Sequence, residues 1–272
     1  MLYSIFHIKL EMNWILYDSS FILSMGVKLV ALAFIALLCC SSSGCIFEED
    51  KSEGFDLIVS SSISQGTIVE SYENGDLISA EYVSVEFDFS STKADLRKIG
   101  LELNDGSNPI ELEDFSNPTI VAEFTSHGKY NVSVYGIDSD DVKETNVIEI
   151  VIDLRIEWVE NATESPATLT IDPIPKNQGD HPLMFEIQST VTNPSILEDF
   201  NGGQSVQISW TITDGLGDTC QRKDSVIEDG ESETWETLYF NTYLIHDLDV
   251  LREEGQDQIS VSQVVLITYS SD

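Results

Sequence analysis

Apolar side chains recur at every second position over much of this chain. Val83, Val85, Phe87 and Phe89 share one face, while Ser84, Glu86 and Asp88 share the other. Ile99, Leu101 and Leu103 repeat the pattern, as do Ile120, Ala122 and Phe124. Tyr130, Val132 and Val134 alternate with Asn131, Ser133 and Tyr135, and Ile148, Ile150, Ile152 and Leu154 stand opposite Glu149 and Asp153. A period of two predicts half-buried strands. Turn signals separate them at Glu73 to Asp76, Asn104 to Ser107, Asn117-Pro118, His127-Gly128 and Asp138 to Asp141. Gly106 and Gly128 are expected to supply turn conformations that a side chain would resist. Many short strands joined in this way predict a β-sandwich.

Alternation fades between Glu157 and Gln178, where Pro166, Pro173 and Pro175 fall, and a domain boundary is expected near Trp158 to Pro166. It then resumes at Leu183, Phe185, Ile187 and Val191, at Val206, Ile208, Trp210 and Ile212, and at Ile259, Val261, Val265, Ile267 and Tyr269. An aromatic strand is expected from Trp235 to Tyr243, and the run His246 to Glu254 reads as a short helix or a loop. The expected fold is all-β, with two β-sandwich domains in tandem, for which the resemblance described below implies an immunoglobulin-like form. The first occupies 57–157, a Pro-containing linker with one strand 158–178, and the second 179–272.

The N-terminal 45 residues read differently. From Met25 a short basic segment precedes an uncharged stretch from Leu29 to Leu38, followed by Cys39-Cys40-Ser-Ser-Ser-Gly-Cys45. That order is expected of a secretory signal peptide. The apolar stretch is well short of the roughly 20 residues that span a bilayer. The preceding residues are interrupted by Lys9, Glu11 and Asp18, so Met25 is a candidate translation start. Residues 46–56 form a short acidic tether. Ser-Ser-Gly-Cys45 resembles the lipobox of lipoproteins, which implies lipid attachment at Cys45 and anchorage on the outer face of a membrane. It departs from the usual pattern at Ser42, where an aliphatic residue is customary; Cys39 and Cys40 are rival positions, and simple cleavage is the alternative. If these cysteines are removed or acylated, Cys220 is left without an intramolecular partner, and it is expected to be a small buried or turn residue.

Charge narrows the setting. The chain carries 13 Lys plus Arg against 48 Asp plus Glu, a net charge of -35. Phosphate backbones need clustered cations, so nucleic acid is not an expected partner. Dispersed acid favours solubility at a cost in self-repulsion that salt relieves, which points to a saline extracellular setting. With 42% hydrophobic residues in regular alternation, the chain is expected to fold.

Leu101-Glu-Leu-Asn-Asp-Gly-Ser107, Val121-Ala-Glu-Phe-Thr-Ser-His-Gly-Lys-Tyr-Asn-Val132 and Ser133-Val-Tyr-Gly-Ile-Asp-Ser-Asp140 together resemble a PKD (polycystic kidney disease) domain. Leu101 stands where that family usually has Trp, Asn104 where it has Gly, and His127 where it has Pro. The resemblance, over roughly Ile78 to Leu154, implies an immunoglobulin-like spacer or interaction module. Val191-Thr-Asn193 and Glu228 to Thr234 in the second half faintly resemble adhesion-type CARDB modules.

Candidate chemistry is sparse. His7, His127, His181 and His246 lack metal-ligand spacing; His127 reads as a turn residue and His181 as a loop residue. No nucleophile elbow and no Gly-rich phosphate loop occurs. Acidic loops carry the one candidate cofactor, calcium, at Asp138, Asp140 and Asp141 and at Asp214 and Asp218; solvated turns are the alternative. Asn131 and Asn161 open glycosylation sequons. The expected function is that of a non-catalytic surface lipoprotein for adhesion, envelope structure or ligand capture. Its expected partners are the membrane, through the lipid anchor, and other surface proteins or polysaccharide. The rivals are a solute-binding or accessory subunit of a transporter or secreted hydrolase, marked by an apolar pocket between the sandwiches, and a small carboxylate-dependent enzyme.

Overall fold

A computed structural model describes residues 54–113, 115–195 and 203–269. The expected signal peptide, Cys45 and most of the expected acidic tether lie outside the described residues. Sixteen strands are present and no helix among the described residues. The first nine are β1 (Ser60–Ser61), β2 (Gln65–Glu73), β3 (Asp76–Glu81), β4 (Val83–Asp88), β5 (Leu96–Glu102), β6 (Ile110–Glu113), β7 (Thr119–Phe124), β8 (Gly128–Asp138) and β9 (Lys143–Thr163). They are followed by β10 (Leu169–Ile171), β11 (Met184–Thr192), β12 (Val206–Asp214), β13 (Thr219–Ile227), β14 (Ser232–Tyr239), β15 (His246–Gly255) and β16 (Ile259–Thr268).

The alternating side chains define two sandwiches. In the first, the sheet β1-β4-β7 packs its Val85, Phe87, Ala122 and Phe124 against Ile99, Leu101, Val132 and Ile150 of the strands β6-β5-β8-β9. In the second, the sheet β10-β15-β12-β13 faces β14-β11-β16 and the C-terminal half of β9. Between them lie Trp210, Ile208, Phe185, Ile187, Val261 and Val265, all buried. Each fully buried aliphatic or aromatic side chain contributes about 1.5–3 kcal/mol. Two apparent gaps in the alternation, at Ser189 and Gln263, prove to be inward-facing polar residues. Ser189 accepts the indole N–H of Trp210 at 2.9 Å, which satisfies the buried ring nitrogen.

The sandwiches share β9. Val151 pairs with Lys129 of β8 and with Gln65 of β2, while Leu154 pairs with Ile267 of β16 and with Ile68 of β2. A strand has only two edges, so β8 and β16 follow one another along the same edge of β9, opposite β2. At the handover sits Asp153, expected to face solvent but buried. Its carboxylate accepts the backbone N–H of Tyr269 at 3.0 Å and the side-chain amide of Gln65 at 3.1 Å. In the first sandwich the opening strand β1 lies beside β4 and the closing strand β9 beside β8. In the second the opening strand β10 lies beside β15 in one sheet and the closing strand β16 beside β11 in the other. That placement brings β16 to β9 and makes one nine-stranded sheet continuous through both sandwiches.

Several expectations are corrected. The segment from Trp158, expected to begin a linker, is the end of β9; Trp158 is buried, stacks on Tyr72 at 5.4 Å and donates its indole N–H to Glu160. The run from His246 is strand β15, with Leu248 and Val250 in the core, because it inserts between β10 and β12. The expected strand from Trp235 to Tyr243 ends at Tyr239, leaving Phe240 and Tyr243 exposed. Leu183 is exposed, before β11 begins. Tyr135 is buried although it belongs to the outer face: its ring lies over Gly100, where a methyl group would come within 2.4 Å, and its hydroxyl donates to Glu111. Cys220 is exposed near the start of β13.

The turns follow their residues. Asn74 and Gly75 both have positive φ, 50° and 89°, as a two-residue β-hairpin requires. Asn104 adopts φ 58° where the resembled family has glycine, and its amide donates to the carbonyl of Asn131 and the hydroxyl of Ser133. Gly128 is not a turn residue in that sense; it starts β8, and a side chain there would meet Asn177, whose amide is tied to the carbonyl of Lys129.

Candidate functional site

The solvent-facing side of the continuous sheet carries an open groove of about 640 Å3 across β14, β11, β16 and β9. Register places its side chains in rows. One row reads Val69, Arg155, Leu266, Glu186 and Leu238 across five strands, and the next reads Ser71, Glu157, Val264, Gln188 and Glu236. Strands lie about 4.8 Å apart and same-face residues about 6.8 Å apart along a strand, so each row is a ladder of short reach. Polar members are held by neighbours: the Gln188 amide donates to Glu236 at 3.0 Å, and Arg155 donates to Glu157 at 2.7 Å. That ion pair is half exposed and contributes about 0–1 kcal/mol. Aliphatic surface from Leu238, Val264 and Leu266 is interleaved with these hydrogen-bonding groups. The groove takes no position from the sequence-predicted sites. Its signal was present as the outward-facing positions of β11, β14 and β16, but register across four strands is needed to assemble it.

A second, smaller pocket of about 160 Å3 lies where the sandwiches meet, lined by Ile68, Glu70, Tyr72, His127, Asp172 and Lys176 among others. It is not the apolar pocket that would mark a solute-binding subunit, since Glu70, His127, Asp172 and Lys176 stand among its lining residues. The Tyr72 hydroxyl donates to Glu70 at 2.9 Å; burial, then that carboxylate, pushes its pKa up to about 12. His127 is buried, with Nδ1 2.7 Å from the Tyr269 hydroxyl. Burial raises the Tyr269 pKa far above its ordinary value, so the phenol stays protonated and shares one hydrogen bond with the imidazole. Burial likewise holds His127 below its ordinary pKa, against the opposing pull of Asp172 and Glu70, while Lys176 acts in the same direction as burial. The residue expected in a turn is thus a neutral imidazole wedged at the junction.

This has a consequence for acid stability. The unfolded imidazole titrates near 6.5, and the folded one lower. The unfolded chain therefore takes up the proton first as pH falls, so stability present above about pH 6.5 is lost as pH drops through that value towards the folded pKa. Urea unfolding of wild type and His127→Gln at pH 7.5 and 5 is expected to show the larger acid loss in wild type. The comparison cancels the general relief of carboxylate repulsion, and equal losses would rule the assignment out.

The remaining sequence-predicted residues fall elsewhere. Asp138 accepts the backbone N–H groups of Asp140 and Val142, both at 2.9 Å, and Asp141 pairs with Arg97. Asp214 accepts the N–H groups of Leu216 and Asp218 at 2.9 and 3.1 Å. In both loops one carboxylate closes its own turn, and among the described residues no three His, Cys, Asp or Glu side chains are grouped to hold a metal ion. Asn131 and Asn161 are exposed, on β8 and β9 respectively. His181 contacts the carbonyl of Thr242 at 3.0 Å. His246 is buried between Phe185 and Tyr239, each ring 5.1 Å away, and burial lowers its pKa.

No protein-family model matches the chain, and no curated protein matches it. Among solved structures it is similar to a carbohydrate-binding module of the β-sandwich superfamily, with 10% identity over 80% of this chain and 99% of that one, at a TM-score of 0.30. It is also similar to a Bacteroides uniformis β-glucuronidase, with 9% identity over 79% of this chain and 30% of that one, at a TM-score of 0.28. A third likeness is to the Bacteroides ovatus SGBP-B protein of a mixed-linkage glucan utilization locus, with 11% identity over 75% of this chain and 52% of that one, at a TM-score of 0.24. The chain spans about a third of the glucuronidase it matches.

Proposed function

We propose that this chain is an exported, non-catalytic capture module, tethered to the outer face of a membrane through Cys45, that binds an extended polysaccharide along the outer face of its continuous sheet. The groove is the observation that carries the reading. It is open at the surface, it crosses four strands, and it alternates aliphatic patches with fixed hydrogen-bonding groups. A sugar chain presents the same alternation of C–H faces and hydroxyls. The carboxylates of the groove support a binding role rather than turnover. Its carboxylates, Glu186 and Glu236, are exposed, and Glu236 is already engaged by Gln188. The PKD-like resemblance and the dispersed negative charge fit a role outside the cell, where salt screens self-repulsion.

Affinity electrophoresis against a panel of neutral polysaccharides is the direct test. Retardation by at least one of them, lost in Gln188→Ala/Glu236→Ala, is expected. Mobility unchanged by every polysaccharide, or retardation indifferent to both substitutions, would sink the groove assignment. The tether is tested separately by mass spectrometry of the native N-terminus, where a lipid adduct on Cys45 is expected and an unmodified Cys45 would refute it.

A further inference from the structure

The opposite margin of the same sheet carries an independent signal. β3 pairs with β2 alone, which leaves its other edge of backbone N–H and C=O groups open among the described residues. Unpaired edges attract foreign strands, and proteins usually blunt them with charge, proline, brevity or bulges. The other margins are blunted here. β13 carries Arg222, Lys223 and Asp224; β6 carries Glu111 and Glu113; β7 and β14 carry Glu123, Glu233 and Glu236; β1 and β10 are two and three residues long.

β3 is different. From Leu77 to Ala80 it has neither charge nor proline, and Leu77 and Ile78 are 51% and 63% exposed. A register shift opposite Ser71 and Tyr72 makes Ile78 an extra residue, which turns an isoleucine with no core to enter out into solvent. Acidic groups bracket this uncharged stretch: Asp76 at one end and Glu81 at the other, with Glu73 across the turn.

We infer that the free edge of β3 is a docking site for an extended strand of another polypeptide, uncharged and apolar at its centre and carrying Lys or Arg at its ends. Main-chain hydrogen bonds supply the pairing, and side chains at alternate positions supply the choice of partner. Charge selects the occupant. Cations opposite Asp76 and Glu81 are favourable, whereas like charges directly opposite are destabilising. A second copy of this chain is a poor occupant. In the antiparallel self-pairing that matches β3 over its whole length, Asp76 of each copy falls opposite Glu81 of the other, and each copy brings a net charge of -35.

The test uses the whole protein and a short synthetic peptide of alternating valine and threonine with lysines at both ends. Hydrogen–deuterium exchange is read with and without peptide, at low and high salt. Slowed exchange confined to Asp76 to Glu81 is expected, weaker at high salt. Ile78→Lys should weaken the peptide about tenfold or more by placing a like charge on the edge. Val226→Lys, on the blunted edge of β13 and also exposed, should leave binding unchanged. Three results would overturn the inference: no protection of β3, equal binding of a peptide with glutamates in place of the lysines, or dimers by sedimentation in the absence of peptide that Ile78→Lys abolishes.

Discussion

Replacing Trp158 by alanine is expected to lower the free energy of unfolding by about 3–5 kcal/mol, the range for truncating a buried tryptophan. The ring is 5% exposed, stacks on Tyr72 and donates to Glu160. Glu160, itself buried, also accepts the backbone N–H of Ala167 at 3.0 Å and so holds the chain as it leaves β9. Truncation removes the stacking surface and one donor to a buried carboxylate together. Because β9 belongs to both sandwiches and the buried residues form one cluster, the loss should reach both at once. In the variant, Trp210 and Trp235 report on the second sandwich by fluorescence, while far-ultraviolet circular dichroism reports on all strands. Coincident urea transitions, both at lower denaturant, are expected. Two separated transitions, one of them unmoved, would show that the sandwiches fold independently and that Trp158 serves only one.

Asp153→Ala is expected to cost about 2–4 kcal/mol, through two donors that lose a buried charged acceptor. The backbone N–H of Tyr269 suffers most, since it lies where β16 has ended and β8 has not yet begun along the edge of β9. Asp153→Asn keeps an oxygen in place for that N–H and should cost distinctly less. Exchange of the Tyr269 amide proton gives the local reading: much faster in Asp153→Ala, near wild type in Asp153→Asn. A wild-type exchange rate in Asp153→Ala would mean that the carboxylate does not hold the junction.

Strands were legible where alternation was unbroken, because a residue that must face a core every second position leaves a mark no helix shares. β4, β7, β12 and β16 fall on the expected residues, and the type of fold follows from them. β15 was not legible as a strand. Its residues His246-Asp-Leu-Asp-Val250 alternate only briefly before Arg252, Glu253 and Glu254, and it becomes a strand because β10 and β12 bond to its two edges. The end of β9 was hidden because alternation fades after Glu157, where the buried Glu160 takes an inward position and accepts from Trp158 and Ala167. His127 read as a turn because its partner, Tyr269, lies 142 residues away.

By itself, the order of residues determined most of the strands, where most turns fall and that the chain is strongly acidic. Those are local properties, set by period, composition and short motifs. Only the tertiary structure decided that β9 runs through both sandwiches, that β16 closes beside it, and that the resulting sheet presents a groove at one margin and an open strand at the other. Hydrogen-bond register between distant strands fixes each of these, and a pattern with period two is equally satisfied by every pairing that keeps its apolar face inward.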